Sequence, residues 1–166
     1  IKVAIIYKPG MVTPVGSTAA LNSVAFVNGG DGSQRNRPAL AQAFAQNTNG
    51  ARFIVVANHL KSKGSACDAP DAGDGQGNCS AVRTNAAGTL MTWLASDPTG
   101  TGDPDVLIVG DLNSYAKEDP ITRIIKGADN TLSTSDDYNN LIASVIGADA
   151  YSYVFDGQWG YLDHAL

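Results

Sequence analysis

The sequence predicts an α/β fold, a sheet buried beneath helices. Two apolar runs and one helical stripe predict it. Phe53–Ala57 (FIVVA) and Val106–Val109 (VLIV) are unbroken apolar stretches, as expected of strands covered on both faces. Between them Val82, Ala86, Leu90, Trp93 and Leu94 recur at three- and four-residue spacing, which marks a helix over 82–96. In sheets of this kind ligands gather beyond the carboxyl ends of the strands.

The remaining elements follow in order. Ile1–Tyr7 reads as a strand, broken by Pro9, Gly10 and Pro14. Leu21–Val27 reads as another, closed by the turn Asn28-Gly29-Gly30-Asp31-Gly32. Pro38 pushes Arg37 to extended geometry. Beyond it, alanines alternate with Leu40, Gln42, Phe44 and Gln46, which favours a strand over a helix. Asp119-Pro120 reads as a helix start, with Asp as cap and Pro at the first position. That helix continues to Lys126 and ends at Gly127. Asp129–Asp137 is a polar loop without the ordered calcium-loop pattern. Tyr138–Ile146 reads as a helix closed by Gly147. Tyr151–Phe155 reads as a strand, Asp156-Gly157 as a turn, and Tyr161–Leu166 as the hairpin partner.

Length and composition bound the function. At 166 residues the chain is one domain or a piece of one. Both ends fall inside strand-like stretches, IKVAIIY and YLDHAL, so both read as cuts through a larger domain. A formal net charge of -5 argues against binding nucleic acid by bulk positive charge. A site that holds a cation can still engage a phosphate, because the ion supplies local charge. No apolar run approaches the roughly 20 residues of a membrane span. Cys67 and Cys79 bracket an acidic, Gly-rich loop with no histidine and no Cys-x-x-Cys nearby. That pattern favours a disulfide over zinc, and with it a secreted, extracellular or periplasmic location.

The chemistry-bearing residues sit at strand ends. Val106–Val109 runs into Gly110, Asp111, Leu112, Asn113. With extended backbone, Asp111 and Asn113 point the same way. Asp111 can hold a metal or orient a water, and Asn113 can donate to a phosphoryl oxygen. Phe53–Ala57 delivers Asn58 and His59 to its end, with Lys61 and Lys63 following as a local cationic patch. Arg35 and Arg37 are candidate phosphate contacts, and solvated surface arginines are the plainer alternative. The last strand carries Leu162-Asp163-His164.

Five blocks in this order resemble the endonuclease/exonuclease/phosphatase superfamily, the fold of deoxyribonuclease I, and most nearly its bacterial extracellular nucleases. They are NRPALAQAF, NHLKSKGS, DGQGN with Arg83 following, GDLNSYAKEDPI, and YSYVFDGQWGYLDHAL. The resemblance implies a two-sheet α/β sandwich, of which residues 1–166 are the central and C-terminal portion of one domain. It implies hydrolysis of phosphodiesters in DNA or RNA with a divalent metal, magnesium first and manganese or calcium as alternatives. It gives His59 a place near the scissile phosphate and makes Asp111 the group that orients or deprotonates the water. Asn113 becomes the donor to phosphoryl oxygens, and Asp163 the carboxylate that holds a catalytic histidine. Asp111 and Asn113 are the metal ligands left in this chain, and positive charge makes Arg37, Lys61 and Lys63 the candidate substrate contacts.

Parts of the family pattern are missing. Its metal-binding Glu, with an Asn before it, lies on strands upstream of Ile1, and its histidine partner of Asp163 lies beyond Leu166. The chain is therefore expected to lack N-terminal and C-terminal strands, to need the rest of its parent on both sides, and to be close to inactive alone. His164 is no substitute, because neighbouring strand residues face opposite sides. A phosphatase or sphingomyelinase-like phosphodiesterase of the same fold is the alternative chemistry, and a non-catalytic surface module the alternative class.

Overall fold

The structure, a computed structural model, describes residues 2–155 and 157–166. Five strands form one sheet in the order β1-β2-β3-β4-β7: β1 Val12–Leu21, β2 Ala39–Gln46, β3 Arg52–His59, β4 Val106–Asp111 and β7 Asp163–Ala165. β3 and β4 run parallel, and the other pairs are antiparallel. A second, two-stranded sheet pairs β5 Tyr153–Phe155 with β6 Gln158–Gly160. The predicted mixed α/β architecture is present as a five-stranded sheet and a small second one.

The two faces of the large sheet differ. Ala41, Ala43, Ile54, Val56, Ile108 and Leu166 turn to the helical side and are buried. Against them pack α1 Val24–Asn28, α2 Ser80–Leu94 and α3 Asp119–Ile125, with Phe26, Leu90, Met91, Ile121 and Ile124 inside the same core. Val55, Ala57, Leu107 and Val109 alternate to the other face and stay half-buried.

β3, β4, α2 and α3 lie where the sequence puts them, and Ala39–Gln46 is a strand. Other expectations need correction. Among the described residues, 2–7 form no strand, and Ile1 lies outside them. Ile6 is 96% exposed, so that apolar run buries nothing in these residues. The first strand is instead Val12–Leu21, through Pro14. It is the sheet's edge, where a missing backbone N–H costs least. Leu21–Val27 ends β1 and then turns helical, because Phe26 and Val27 bury on consecutive positions that one strand face could not share. Glu118 occupies the N-cap position of α3 without a side-chain capping bond, and Asp119 lies inside the first turn. The last helix, α4, begins at Leu141, where Asn140 accepts the Ala143 N–H. Gly147 opens a short 3₁₀ turn, Gly147–Asp149. The partner of Tyr153–Phe155 is Gln158–Gly160, with Asp156 outside the described residues. Residues 161–166 return to the large sheet beside β4, where Leu166 reaches the core.

Cys67 and Cys79 form the expected disulfide, their Cα atoms 5.4 Å apart. It closes the Gly-rich loop just before α2. Closing such a loop stabilises a fold by about 2–4 kcal/mol. Mass measurement after alkylation under denaturing, non-reducing conditions is expected to show neither thiol labelled. Labelling of both, in protein recovered from an oxidising compartment, contradicts the pairing.

Candidate active site

Three strand ends meet at one edge of the sheet. His59 on β3 pairs in register with Asp111 on β4, and Asp111 pairs with Asp163 on β7. Lateral partners in a sheet point to the same face. His59, Asp111 and Asp163 therefore form a row on the face away from the helices. His59 Nε2 stands 3.6 Å from Asp111 Oδ2, with both side chains about one third exposed. Asp163 is exposed. The row beneath it, Asn58, Gly110 and His164, faces the helices.

Gly110 makes this register possible. Its φ is +131°, and a Cβ there would lie 2.0 Å from the Asn58 carbonyl oxygen. The glycine of GDLN is thus a point of close strand approach inside β4, and the turn comes after it.

That turn corrects the expected placement of Asn113. β4 stops at Asp111, and Asn113 has φ +48°, so the backbone is not extended there. Asp111 Oδ1 accepts the Asn113 N–H at 2.9 Å, a local turn of the kind Asp favours. The Asn113 side-chain amide donates to the Leu60 carbonyl at 3.0 Å. One N–H of that amide remains for a ligand. Asn113 also lines a groove of about 670 Å³ bounded by Lys63, Tyr115, Tyr153 and Phe155.

The two lysines are not a free cationic patch. Lys61 is buried, and its ammonium donates to the Ser62 and Ser65 carbonyls and the Ser65 hydroxyl. Burial, then the fields of Arg35, Arg83 and Arg37, lower its pKa. Its three protons are taken by this loop, which removes it as a substrate contact. Lys63 pairs with Glu118 and lies 4.7 Å above the Tyr115 ring. Burial raises the Glu118 pKa, and Lys63 opposes that rise. Arg35 is held by Asp31 and Asp68. Arg37 has no ion-pair partner among the described residues, and its backbone N–H donates to the His59 carbonyl. Of the predicted basic contacts, Arg37 is the one beside His59 with its charge uncommitted.

Sequence reasoning missed the support beneath the row. Arg83 is fully buried. It donates to Ser114 Oγ and to the Lys61, Asn78 and Gln76 carbonyls, joining the loops after β3 and β4 to the disulfide loop. A signal was present: Arg83, Ala86, Ala87 and Leu90 share one helical face, and an arginine on an apolar stripe needs partners. Asn36 ties α1 to the same place, donating to Phe26 O and accepting the Lys61 N–H.

His164 turns away from the row, as expected. It is buried, packs on Tyr161, and its Nε2 lies 2.7 Å from the Ser114 carbonyl. Burial lowers its pKa, so the fold favours the neutral ring. The unfolded chain then takes up a proton first as pH falls. Stability from this group is full above the unfolded value of 6.5 and drains as pH falls from there through the folded pKa. Urea unfolding at pH 8 and pH 5 is expected to show this loss in the wild type and a smaller one in His164→Phe. An equal loss in both would contradict it.

A resident divalent metal does not fit these residues alone. Asp111 Oδ1 is occupied by Asn113, which leaves Oδ2 facing His59. The Asn113 side-chain N–H is held by the Leu60 carbonyl, while its amide oxygen, the atom a metal would use, accepts no hydrogen bond among the described residues. Among the described residues no three His, Cys, Asp or Glu side chains converge on one ion position. Magnesium is usually held by one or two carboxylates with waters and substrate phosphates. Calorimetry of the 166-residue chain is expected to show weak or absent magnesium binding; micromolar, stoichiometric binding would contradict this.

Comparison with solved structures places the architecture. The human Nocturnin catalytic domain, solved with a bound sulfate anion, matches over 95% of this chain at a TM-score of 0.61 and 18% identity. The chain has the endonuclease/exonuclease/phosphatase fold. At that identity the likeness is one of fold, and the chain spans 48% of the Nocturnin domain's length. A mannosyl-6-phosphatase of Bacteroides thetaiotaomicron matches over 72% of the chain and 40% of its own, at a TM-score of 0.46 and 14% identity. An endonuclease/exonuclease/phosphatase family protein from the same organism covers 72% and 38%, at 0.45 and 12%. No protein-family model and no curated protein matches the sequence. No helix among the described residues is long and apolar enough to cross a membrane.

Proposed function

We propose that this chain carries half of the catalytic centre of a secreted phosphodiesterase that hydrolyses nucleic acid. The observation that carries the reading is the row His59, Asp111, Asp163 across three adjacent strand ends. Asp111 Oδ2 is the base or orienting group for the attacking water. The water oxygen bonds to phosphorus, its proton passes to Asp111, and the ester P–O bond opposite breaks as the leaving oxygen takes a proton from solvent water. His59 and the unspent Asn113 N–H meet the charge that grows on the phosphoryl oxygens. Arg37, beside His59, supplies an uncommitted positive charge for the phosphate. Asp163 holds a histidine supplied by the rest of the protein, as carboxylates commonly orient imidazoles. The proposal keeps the family's requirement for a divalent cation, magnesium first, with its further carboxylates outside these 166 residues. The disulfide supports an oxidising, extracellular setting.

The test is plasmid nicking by the whole protein with magnesium or manganese, beside the 166-residue chain at equal concentration. The whole protein is expected to nick and the chain to be close to inert. Release of phosphate from a hexose phosphate without nicking would overturn the nuclease reading.

A further inference from the structure

The residues on either side of Asp163 grip the residues on either side of Asn113. The Leu112 N–H donates to the Leu162 carbonyl at 2.9 Å, and the His164 ring nitrogen Nε2 lies 2.7 Å from the Ser114 carbonyl. We propose that His164 is a positioning residue for the reaction. Its Nε2–H holds the Ser114 carbonyl and so fixes the turn that aims the free Asn113 N–H at the phosphoryl oxygen. The inference rests on the hydrolytic reading above and adds to it a residue that touches no substrate.

The partner settles where the ring proton sits. A carbonyl oxygen can only accept, so the one N–H of the neutral ring is on Nε2. Nδ1 is buried and has no hydrogen-bond partner among the described residues, so the ring spends its only polar contact on Ser114. Tyr161 fixes the ring from the side, with centroids 4.9 Å apart, and the Tyr161 hydroxyl accepts from the Asn140 amide at 3.1 Å. His164 is 3% exposed and Ser114 is wholly buried, so solvent has little access to this bond.

The turn needs such a hold. Asn113 has φ +48°, a backbone region that a residue with a side chain enters at a cost its surroundings must offset. Ser114, the next residue, is gripped twice: Arg83 Nε donates to its hydroxyl oxygen at 3.1 Å, and His164 holds its carbonyl. Arg83 acts on the side chain, and His164 acts on the main chain itself. Without the ring contact the turn is free to relax, and the Asn113 amide moves with it. That amide meets charge that grows only in the transition state, so its displacement falls on kcat more than on KM.

The experiment compares His164→Gln with His164→Asn in the whole protein. Glutamine carries its amide nitrogen as many bonds from Cα as Nε2, whereas asparagine reaches only as far as Nδ1. In plasmid nicking His164→Asn is expected to lower kcat about 10- to 100-fold with KM little changed, the loss for misplacing a catalytic group by about 1 Å. His164→Gln is expected to stay close to wild type. In an Asn113→Ala background His164→Asn is expected to cost nothing further, because its effect passes through Asn113. ¹H–¹⁵N spectra read the contact without activity: the wild-type His164 ring is expected to carry its proton on Nε2, and the Asn113 side-chain amide signals to move in His164→Asn but not in His164→Gln. A ring proton on Nδ1 overturns the proposal, and this wild-type spectrum decides even where a variant fails to fold. Equal kcat in the two variants overturns it too, as does the same further loss in the Asn113→Ala background. If the ring proton and the amide shift are as expected while the wild-type protein fails to nick, the positioning contact stands and the hydrolytic reading falls. Wild-type nicking with equal kcat in the two variants does the reverse.

Discussion

The Asp111→Asn form of the whole protein is expected to nick plasmid about 10²–10⁴-fold more slowly than the wild type, the range for loss of a general base. The substitution separates chemistry from structure. Asn keeps an oxygen where Asp111 Oδ1 accepts the Asn113 N–H, so the turn after β4 survives. What changes is the other atom, which faces His59 at 3.6 Å. An NH₂ group there cannot take the water's proton. kcat/KM is the quantity to measure, with thermal melting as the control for folding. A wild-type rate with a wild-type melting point would remove Asp111 from the mechanism.

Arg83→Met is expected to lower the unfolding free energy by about 3 kcal/mol or more. Methionine fills much of the arginine stem's volume, so the loss is mostly polar. Four acceptors lose their donor: Ser114 Oγ and the Lys61, Asn78 and Gln76 carbonyls. Each buried polar group left unpaired costs about 1–3 kcal/mol, and local relaxation or entry of water lowers the sum. Burial already pulls the guanidinium pKa below its ordinary value, with Glu118 and Asp71 favouring the charge. Urea unfolding measures the change, and a melting point about 6–12 °C lower accompanies it at this chain length. A loss below about 1 kcal/mol would show that water replaces the guanidinium at little cost.

The parts legible in the sequence were those whose burial is continuous along the chain. β3 and β4 announce themselves because unbroken apolar runs are rare outside buried strands. α2 does so through its helical stripe. β1 did not, because an edge strand with Pro14, Gly16 and mostly exposed side chains carries no such pattern. α1 is five residues long, too short for periodicity to speak. In the site, His59 and Asp111 were legible as strand ends, and the opposition of Asp163 and His164 followed from alternation. Their common register was not, since it links positions more than 50 residues apart through strand pairing. The lysines misled for a related reason. Lys61 and Lys63 look like free charge beside His59, and only the folded loops show Ser62, Ser65 and Glu118 claiming them. The close approach at Gly110, where only a glycine passes the Asn58 carbonyl, is likewise a matter of strand pairing that the local sequence does not carry.

The central claim is that the row of His59, Asp111 and Asp163 faces the substrate while His164 faces the core. The chain has two histidines, one on each face, which makes imidazole NMR the direct test. Two-dimensional ¹H–¹⁵N spectra of the ring nitrogens would be followed during titration with inorganic phosphate, the simplest mimic of the scissile group. The account predicts that the His59 signals move with phosphate and the His164 signals stay in place. Movement of His164 with His59 unmoved would contradict it.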